Sequence, residues 1–261
     1  MGTILLEPVG RVISSVTDSK AMLPGGVPAQ IEIYPGFVPA LERLEENSHI
    51  WVLSWFHQAD RSKTSAVPGA SEEKAEFGIF AIRVASRPNP IALSLVRLLK
   101  REGGLLYLER LDAVDNTPVL DIKPYFENDI IFSPRTSYIR GRDREHRQDR
   151  MTRRAIAHHQ EDCFDLNLAV RMALVAEELF GHLNNPDLMV TVQGTPCLAD
   201  AIQGLTNARL ANPPRFSFVR GSTLQTIWQQ SGKGSLTLTW QGNKDIGSAE
   251  DEELFIIDFD K

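Results

Sequence analysis

The sequence predicts a mainly β N-terminal half, closed into a small antiparallel barrel, followed by an α+β C-terminal half. Three observations carry this expectation. Seven short runs rich in β-branched and aromatic residues, each bounded by Gly, Pro or Asp, crowd the stretch from residue 7 to 122. One helical pattern interrupts them. After Phe132 apolar residues begin to recur at 3–4 spacing, which is the periodicity of helices.

The predicted strands of the first half are Glu7–Val16, Gln30–Tyr34, Ile50–His57, Phe77–Arg83, Leu93–Lys100, Leu105–Leu111 and Val119–Ile122. Gly103-Gly104 joins two of them as a hairpin turn. Phe37–Glu46 reads as the single helix, with Val38, Leu41 and Leu44 on one side. So many short strands with so little helix favour a barrel over a layered sheet. Segments 17–29 and 58–76 carry Gly, Pro, Ser and Ala without periodicity and read as loops, the second long enough to be mobile and functional.

In the second half the arginine-rich stretch reads as a polar helix or a linker. Asp165 is then the expected N-cap of a helix carrying Leu168, Met172, Val175 and Leu179, with Gly181 just past its end. Leu188–Val192 reads as a strand, Leu198–Leu205 as a helix, and Phe216–Val219, Leu224–Trp228 and Ser235–Trp240 as strands. No internal repeat is visible. The expected domains are residues 1–135 and 136–261, the latter opening with the arginine-rich connector.

Composition bounds the function. The 42% hydrophobic and 24% charged content of the 261 residues is that of a water-soluble globular protein. No apolar run approaches the roughly 18 residues a spanning helix needs. Met1–Glu7 has neither a basic n-region nor a full apolar core, so no signal peptide is expected. Cys163 and Cys197 do not make a disulfide framework, and the expected compartment is the reduced cytoplasm. A net charge of −6 argues against a general nucleic-acid binder. Locally, residues 135–154 hold eight arginines against Asp143, Glu145 and Asp149, whereas Glu250–Glu253, Asp258 and Asp260 make the C-terminal end acidic. Such runs are either solvated faces or partner surfaces.

Two polar corners in the first half ask for more than packing. One runs from Gly78-Ile79-Phe80-Ala81-Ile82-Arg83 into Ser86-Arg87-Pro88-Asn89-Pro90-Ile91; the other is Leu111-Asp112-Ala113-Val114-Asp115-Asn116-Thr117-Pro118. With Ser48–Leu53, Trp55-Phe56-His57-Gln58 and Val119–Tyr125, these strings stand in an order that resembles the TsaA/TrmO family of β-barrel methyltransferases, over roughly residues 7–128. The resemblance implies S-adenosylmethionine as methyl donor, held by a barrel. No Gly-x-Gly-x-x-Gly string follows a strand here, in keeping with that. It places His57, Gln58, Arg83, Leu93, Asp112, Val114, Asp115 and Thr117 around the cofactor. In the chemistry so implied, carboxylates stabilise a sulfonium cation and Arg83 forks onto the methionine carboxylate. Pro88 and Pro90 pin Asn89 near the pocket. His57, Asn89 and Asp115 are the candidate catalytic groups. Asn116 stands where the family usually writes Gly, and Asn tolerates the positive φ that such a turn needs. The arginine-rich segment common before the Gly78 strand is replaced by Ser65–Lys74, which has none.

The second half resembles the FmdE family, named for a component of formylmethanofuran dehydrogenase, over about residues 155–240. The strings are His159-Gln160-Glu161-Asp162-Cys163, Pro196-Cys197-Leu198-Ala199-Asp200-Ala201-Ile202-Gln203 and Ser231-Gly232-Lys233-Gly234. The resemblance implies an α+β core, often dimeric. Glu161 stands where that family has a second His, and Ala208 where it has a further Cys. His159, Cys163 and Cys197, with Asp200, are either ligands of a zinc ion or core residues.

These readings converge on a methyltransferase, and the family default is N6-methylation of threonylcarbamoyladenosine in tRNA. Two alternatives stand beside it: transfer to a small metabolite or pterin-type cofactor, and a non-catalytic accessory protein that binds S-adenosylmethionine or a metal. The expected partners are tRNA or a small acceptor and a second copy of the chain, with no membrane.

Overall fold

The computed structural model describes residues 4–68, 72, 74–243 and 245–261. The chain divides into two compact units, residues 4–66 with 76–130, and residues 67–75 with 131–261. Of the expected 58–76 loop, Gly69, Ala70, Ser71 and Glu73 lie outside the described residues, as do Met1–Thr3 at the start.

The first unit is built on strands β1 (Gly10–Ser14), β2 (Val27–Ile33), β3 (His49–Trp55), β4 (Ser65–Ala66), β5 (Phe77–Gly78), β6 (Ile91–Glu102), β7 (Leu105–Leu111) and β8 (Pro118–Pro124). Six of them close an antiparallel barrel in the order β1-β2-β7-β6-β3-β8, and β4 pairs with β5 beside it. Period-2 alternation sends Val12, Ile31, Ile50, Val52, Val96, Leu106, Leu108 and Val119 inward to fill the barrel. The seam is the short pairing of β1 with β8, Gly10 opposite Val119 and Arg11 opposite Pro118. Val12 N–H donating to Thr117 O at 2.9 Å extends it into the corner before β8.

Two expectations fail for local reasons. The predicted helix at Phe37–Glu46 is a pair of 3₁₀ turns, Pro35–Leu41 and Leu44–Glu46. Pro39 removes a donor within the segment and Arg43, at φ +64°, reverses its winding. The predicted strand Phe77–Arg83 pairs only at Phe77 and Gly78 before Ile79–Ala81 turns as 3₁₀.

Gly26 closes the barrel wall from within. It sits at φ +79°, where a Cβ would stand 2.3 Å from the carbonyl carbon of Leu111. Gly25 has nearly the same φ with open space around it. The strand contact therefore needs the missing side chain at Gly26, whereas Gly25 needs only the backbone freedom.

The second unit opens with α1 (Arg144–His159) and α2 (Phe164–Phe180). It continues through β9 (Leu188–Gly194), α3 (Pro196–Thr206), β10 (Phe216–Arg220), β11 (Gln225–Gln230), β12 (Gly234–Trp240), the single turn α4 (Asp251–Leu254) and β13 (Phe255–Asp260). A mixed sheet runs β10-β9-β11-β12-β13, with β9 and β10 parallel across the α3 crossover. The helix N-cap falls on Cys163, two residues before the expected Asp165. Leu166, Leu168, Ala169, Met172, Ala173 and Leu174 are all buried, because α1, α3 and the sheet cover the middle of α2, whereas Leu179, expected on the same apolar face, is exposed near its end. Among the described residues no helix is long and apolar enough to cross a membrane.

The arginine run leads into α1, which holds Arg144, Arg147, Arg150, Arg153 and Arg154, and is largely consumed by the fold. Arg140 meets Glu72, Arg142 meets Asp143, Arg144 meets Glu178 and Asp251, Arg147 meets Glu177 and Glu178, Arg150 meets Glu177, and Arg153 meets Asp149. Arg154 donates to Asn207 Oδ1 at 2.6 Å. At the centre lies a buried pair, Arg147 Nε to Glu177 Oε2 at 3.1 Å, with Tyr138 donating its hydroxyl to Glu177 Oε1 at 3.0 Å. Burial, and then the charge of Glu177, push the Tyr138 phenol well up, so it remains a donor.

Two outcomes follow from these contacts. Gly26→Ala should destabilise the barrel more than Gly25→Ala in urea unfolding. Both incur the left-handed strain of about 1–2 kcal/mol, and only the first adds a clash with Leu111. Equal losses would mean that the Leu111 contact relaxes freely. Glu177→Ala should cost the second unit about 3–5 kcal/mol, since it removes the buried partner of the Arg147 guanidinium, leaving it only the half-exposed Glu178, and takes the acceptor from the half-buried Tyr138 phenol. A loss under about 1 kcal/mol would show that water replaces the carboxylate.

Candidate functional site

A cavity of about 850 Å³ opens on the barrel. Its wall draws on four segments: Ser19 and Met22–Gly25 from the β1–β2 loop, Phe56–Ala59 beyond β3, Arg83–Arg87 before β6, and Arg110–Thr117 through Asp112 and Val114. Pro90 and the face of β6 from Ile91 to Val96 form the floor. His57, Gln58, Arg83, Leu93, Asp112, Val114 and Thr117, the residues singled out in the sequence, line this one space.

Each wall segment is held by an identifiable contact. Gln58 spends its side-chain amide on the opposite loop: its Nε2–H₂ donates to Thr17 O at 2.9 Å and its Oε1 accepts from Ser19 N–H at 3.3 Å. Arg87 reaches inward, one terminal nitrogen donating to Ile79 O and Ile82 O, both at 2.8 Å. That clamp folds residues 79–87 into a compact turn and leaves Arg83 exposed on the rim. Arg61 lies over the Trp55 ring at 5.3 Å and donates to Pro88 O at 3.0 Å, which fixes the Pro88-Asn89-Pro90 bend from outside. Arg110 donates to Gly26 O from two nitrogens and ties β7 to the Gly25-Gly26 turn.

The Asp112–Thr117 corner is pinned on both sides. Ser94 Oγ–H donates to Asp112 Oδ1 at 2.6 Å, which leaves the second carboxylate oxygen to the cavity. Asp115 Oδ1 accepts from Ser14 N–H, and its Oδ2 accepts from the Asn116 amide at 2.6 Å. Asn116 holds φ +60°, as the sequence requires of a residue standing in a glycine's place. Thr117 is fully buried in the wall and its hydroxyl has no hydrogen-bond partner among the described residues, an orphaned polar atom of the kind a bound polar ligand satisfies.

Two of the candidate catalytic residues fall outside the wall. Asp115 turns both carboxylate oxygens onto the corner's own backbone and side chains, so it builds the turn. Asn89 is exposed at the bend, where its carbonyl accepts from Ile91 N–H. The reading from sequence also missed the roles of Arg61, Arg87, Ser94 and Arg110. Arg87 stood in a recognised string, but nothing local shows that its guanidinium caps carbonyls five and eight residues earlier.

In the second unit His159, Cys163 and Cys197 come together, their ligand atoms all within 4.8 Å of one another. His159 Nε2 lies 3.5 Å from Cys163 Sγ, and His159 Nδ1 lies 2.7 Å from Asp200 Oδ2. Asp200 Oδ1 also meets His158 Nε2 at 3.2 Å. Burial, and then the neighbouring Cys163, Asp165 and Glu161, push the Cys197 thiol up. Both cysteines are free thiols.

Residues 19–129 match the family model of the tRNA-methyltransferase O N-terminal domain. A probable S-adenosyl-L-methionine-binding protein of Archaeoglobus fulgidus is 32% identical over 232 residues, 85% of this chain and 60% of that protein, so its similarity runs on into the second unit. A probable S-adenosyl-L-methionine-binding protein of Methanothermobacter thermautotrophicus is 42% identical over 129 residues, 48% of this chain and 92% of its own length. The mouse tRNA (adenine(37)-N6)-methyltransferase is 46% identical over 138 residues, 48% of this chain and 31% of that protein. A crystal structure of TrmO from Pseudomonas aeruginosa aligns over 93% of this chain and 95% of its own, at 24% identity and a TM-score of 0.45. The chain thus spans three fifths of the Archaeoglobus relative and less than a third of the mouse enzyme. Nearly the whole of the shorter Methanothermobacter relative is matched, and by its barrel the chain belongs to the family of the tRNA-methyltransferase O N-terminal domain.

Proposed function

We propose that the barrel binds S-adenosylmethionine in the cavity at its wall and transfers the methyl group to the N6 nitrogen of a modified adenosine in tRNA. The observation that carries this is the convergence of His57, Arg83, Asp112 and the orphaned Thr117 hydroxyl on one cavity large enough for a nucleoside with an amino-acid tail. The Methanothermobacter relative named as binding that donor and the mouse relative named for tRNA adenine each match 48% of this chain, which supports the donor and the acceptor of this reading.

When bound, S-adenosylmethionine supplies an activated methyl on a sulfonium, open to in-line displacement. The chain's part is binding and alignment. Asp112, fixed by Ser94, offers one free carboxylate oxygen to a hydroxyl or to the cation. Arg83 on the rim is the guanidinium placed for a terminal carboxylate. His57, the imidazole of the wall, takes up the proton released by the acceptor nitrogen, a role that Asp115, bound into its own turn, does not have. Leu93 and its neighbours Ile91 and Leu95 present an apolar strip on β6 as the floor against which the donor packs. The FmdE-like character of the second unit rests on its strings, and that unit carries the cluster of His159, Cys163 and Cys197.

A small-molecule acceptor is the second reading, and one finding favours it. The arginines of residues 135–154, which alone gave the sequence a basic patch, are engaged with Glu177, Glu178, Asp251 and other partners of the second unit. A tRNA acceptor must therefore be held through other cations.

Arg83→Ala should weaken donor binding by about 1.5–3 kcal/mol in calorimetry of the full chain, the worth of a hydrogen bond between charged groups. Unchanged affinity in a folded variant would remove Arg83 from the site. For the acceptor, the full chain incubated with isotopically labelled donor and bulk tRNA should place label on a single adenosine in nucleoside mass spectrometry. His57→Ala should depress that rate while leaving donor affinity within a few-fold. Label appearing only in small metabolites would overturn the tRNA assignment and leave donor binding intact.

A further inference from the structure

We propose that His159, Cys163 and Cys197 form an open three-ligand site for a thiophilic divalent cation, zinc above all, with Asp200 orienting the histidine and the fourth position left to a small donor from solution. The site lies in the second unit alone and does not rest on the reading of the barrel.

The three ligands come from three helix ends. His159 is the last residue of α1, Cys163 the N-cap of α2 and Cys197 the second residue of α3. The turn between α1 and α2 is held by Gln160 at φ +63°, which reverses the chain so that His159 and Cys163 face one another. α1 can lie this close to α3 because residue 204 is glycine: a Cβ there would stand 2.6 Å from the His158 ring. The cluster is therefore a product of packing and not of a mobile loop.

The distances fit a metal. Zinc bonds of roughly 2.3 Å to sulfur and 2.0–2.1 Å to nitrogen, at a tetrahedral angle, set an N···S edge of about 3.5 Å. His159 Nε2 and Cys163 Sγ stand 3.5 Å apart. All three ligand atoms lie within 4.8 Å of one another, no more than about 1 Å beyond the S···S edge of about 3.8 Å that two zinc–sulfur bonds set, a difference a side-chain rotation covers.

Asp200 is the second independent sign. A carboxylate can only accept, so its 2.7 Å contact fixes the proton of His159 on Nδ1 and turns the Nε2 lone pair toward the two sulfurs. That is how histidine is prepared as a metal ligand. Asp200 thus acts as a positioning residue, whereas the sequence left it among the possible ligands. Its second oxygen is spent on His158.

The second cysteine decides between a metal and a reactive thiol. The cysteine, histidine and aspartate also line up as a nucleophile, base and orienting acid. A nucleophile and its base need only one thiol. Here two thiols and the imidazole converge, their ligand atoms all within 4.8 Å of one another. A divalent cation bound by two thiolates neutralises both. Three protein ligands, all of them only partly buried, make an open site and not a closed structural one.

The test uses the full chain, reduced and stripped with a chelator. Zinc titrated against a chromogenic competitor should bind at one per chain. Cys163→Ser and Cys197→Ser should each abolish it, and Asp200→Asn should keep the stoichiometry while weakening affinity about 10–100-fold. Cobalt in place of zinc should give thiolate-to-metal charge-transfer absorption that shifts when a small thiol is added. Circular dichroism of the stripped protein should be unchanged. Failure of the reduced wild type to bind zinc, or binding that survives both cysteine variants, would overturn the site. A cobalt spectrum indifferent to added thiol, or helix lost on stripping, would overturn its openness.

Discussion

The barrel depends on one short seam. β1 and β8 pair over only two residues, and the strand continues into a corner whose backbone takes over the bonding. Val12 N–H reaches Thr117 O, Asn116 N–H reaches Val12 O and Asp115 N–H reaches Val16 O. A barrel that closes through a corner makes that corner rigid, because any movement there opens an edge. The same corner supplies Asp112, Val114 and Thr117 to the cavity. Closure and ligand geometry are thus one constraint. It explains why an aspartate of the recognised string, Asp115, points back into the turn.

Guanidinium groups do a second kind of structural work in both units. Arg87 caps two carbonyls of the 79–82 turn. Arg171 donates to Ala249 O and Asp251 Oδ1, and Arg215 gathers Asn185 O, Leu188 O and Asn207 O. Carbonyls at loop ends have no ladder partner, and a planar fork with five donors satisfies several at once. Burying such a charge is costly unless its hydrogen bonds are made, so these loops are fixed in place. The arginine run of residues 135–154 follows the same pattern. Half of its ion pairs are made to α2, at Glu177 and Glu178, and the rest to Glu72, Asp143, Asp149 and Asp251.

How much of this the sequence displayed depended on range. Alternation made β2, β3 and β7 legible, and glycine marked the β6–β7 hairpin at Gly103, whose φ is +60°. Periodicity likewise disclosed α2 and α3. The failures lie where a local pattern was overruled by a single residue, as Pro39 and Arg43 break the segment 37–46, or where a pattern carries no partner. Cavity-lining residues stood in conspicuous strings, yet the contacts that hold them, Ser94 with Asp112, Gln58 with Thr17 and Arg110 with Gly26, span 18 to 84 positions. The edge strand β13 was hidden because its acidic flank reads as a solvated tail, although Phe255 and Leu254 are buried.

The segment between β4 and β5 has a consequence for how such chains can be recombined. Residues 67–75 group with 131–261, and Glu72 illustrates the bond: its N–H donates to Arg140 O and its carboxylate meets the Arg140 guanidinium, both at 3.1 Å. The chain therefore crosses between its units after residues 66, 75 and 130, not once. A single crossover near residue 130 would graft a new second module onto a loop shaped for the old one and leave Glu72 without its arginine. A barrel that acquires a different C-terminal module must acquire a different β4–β5 loop with it.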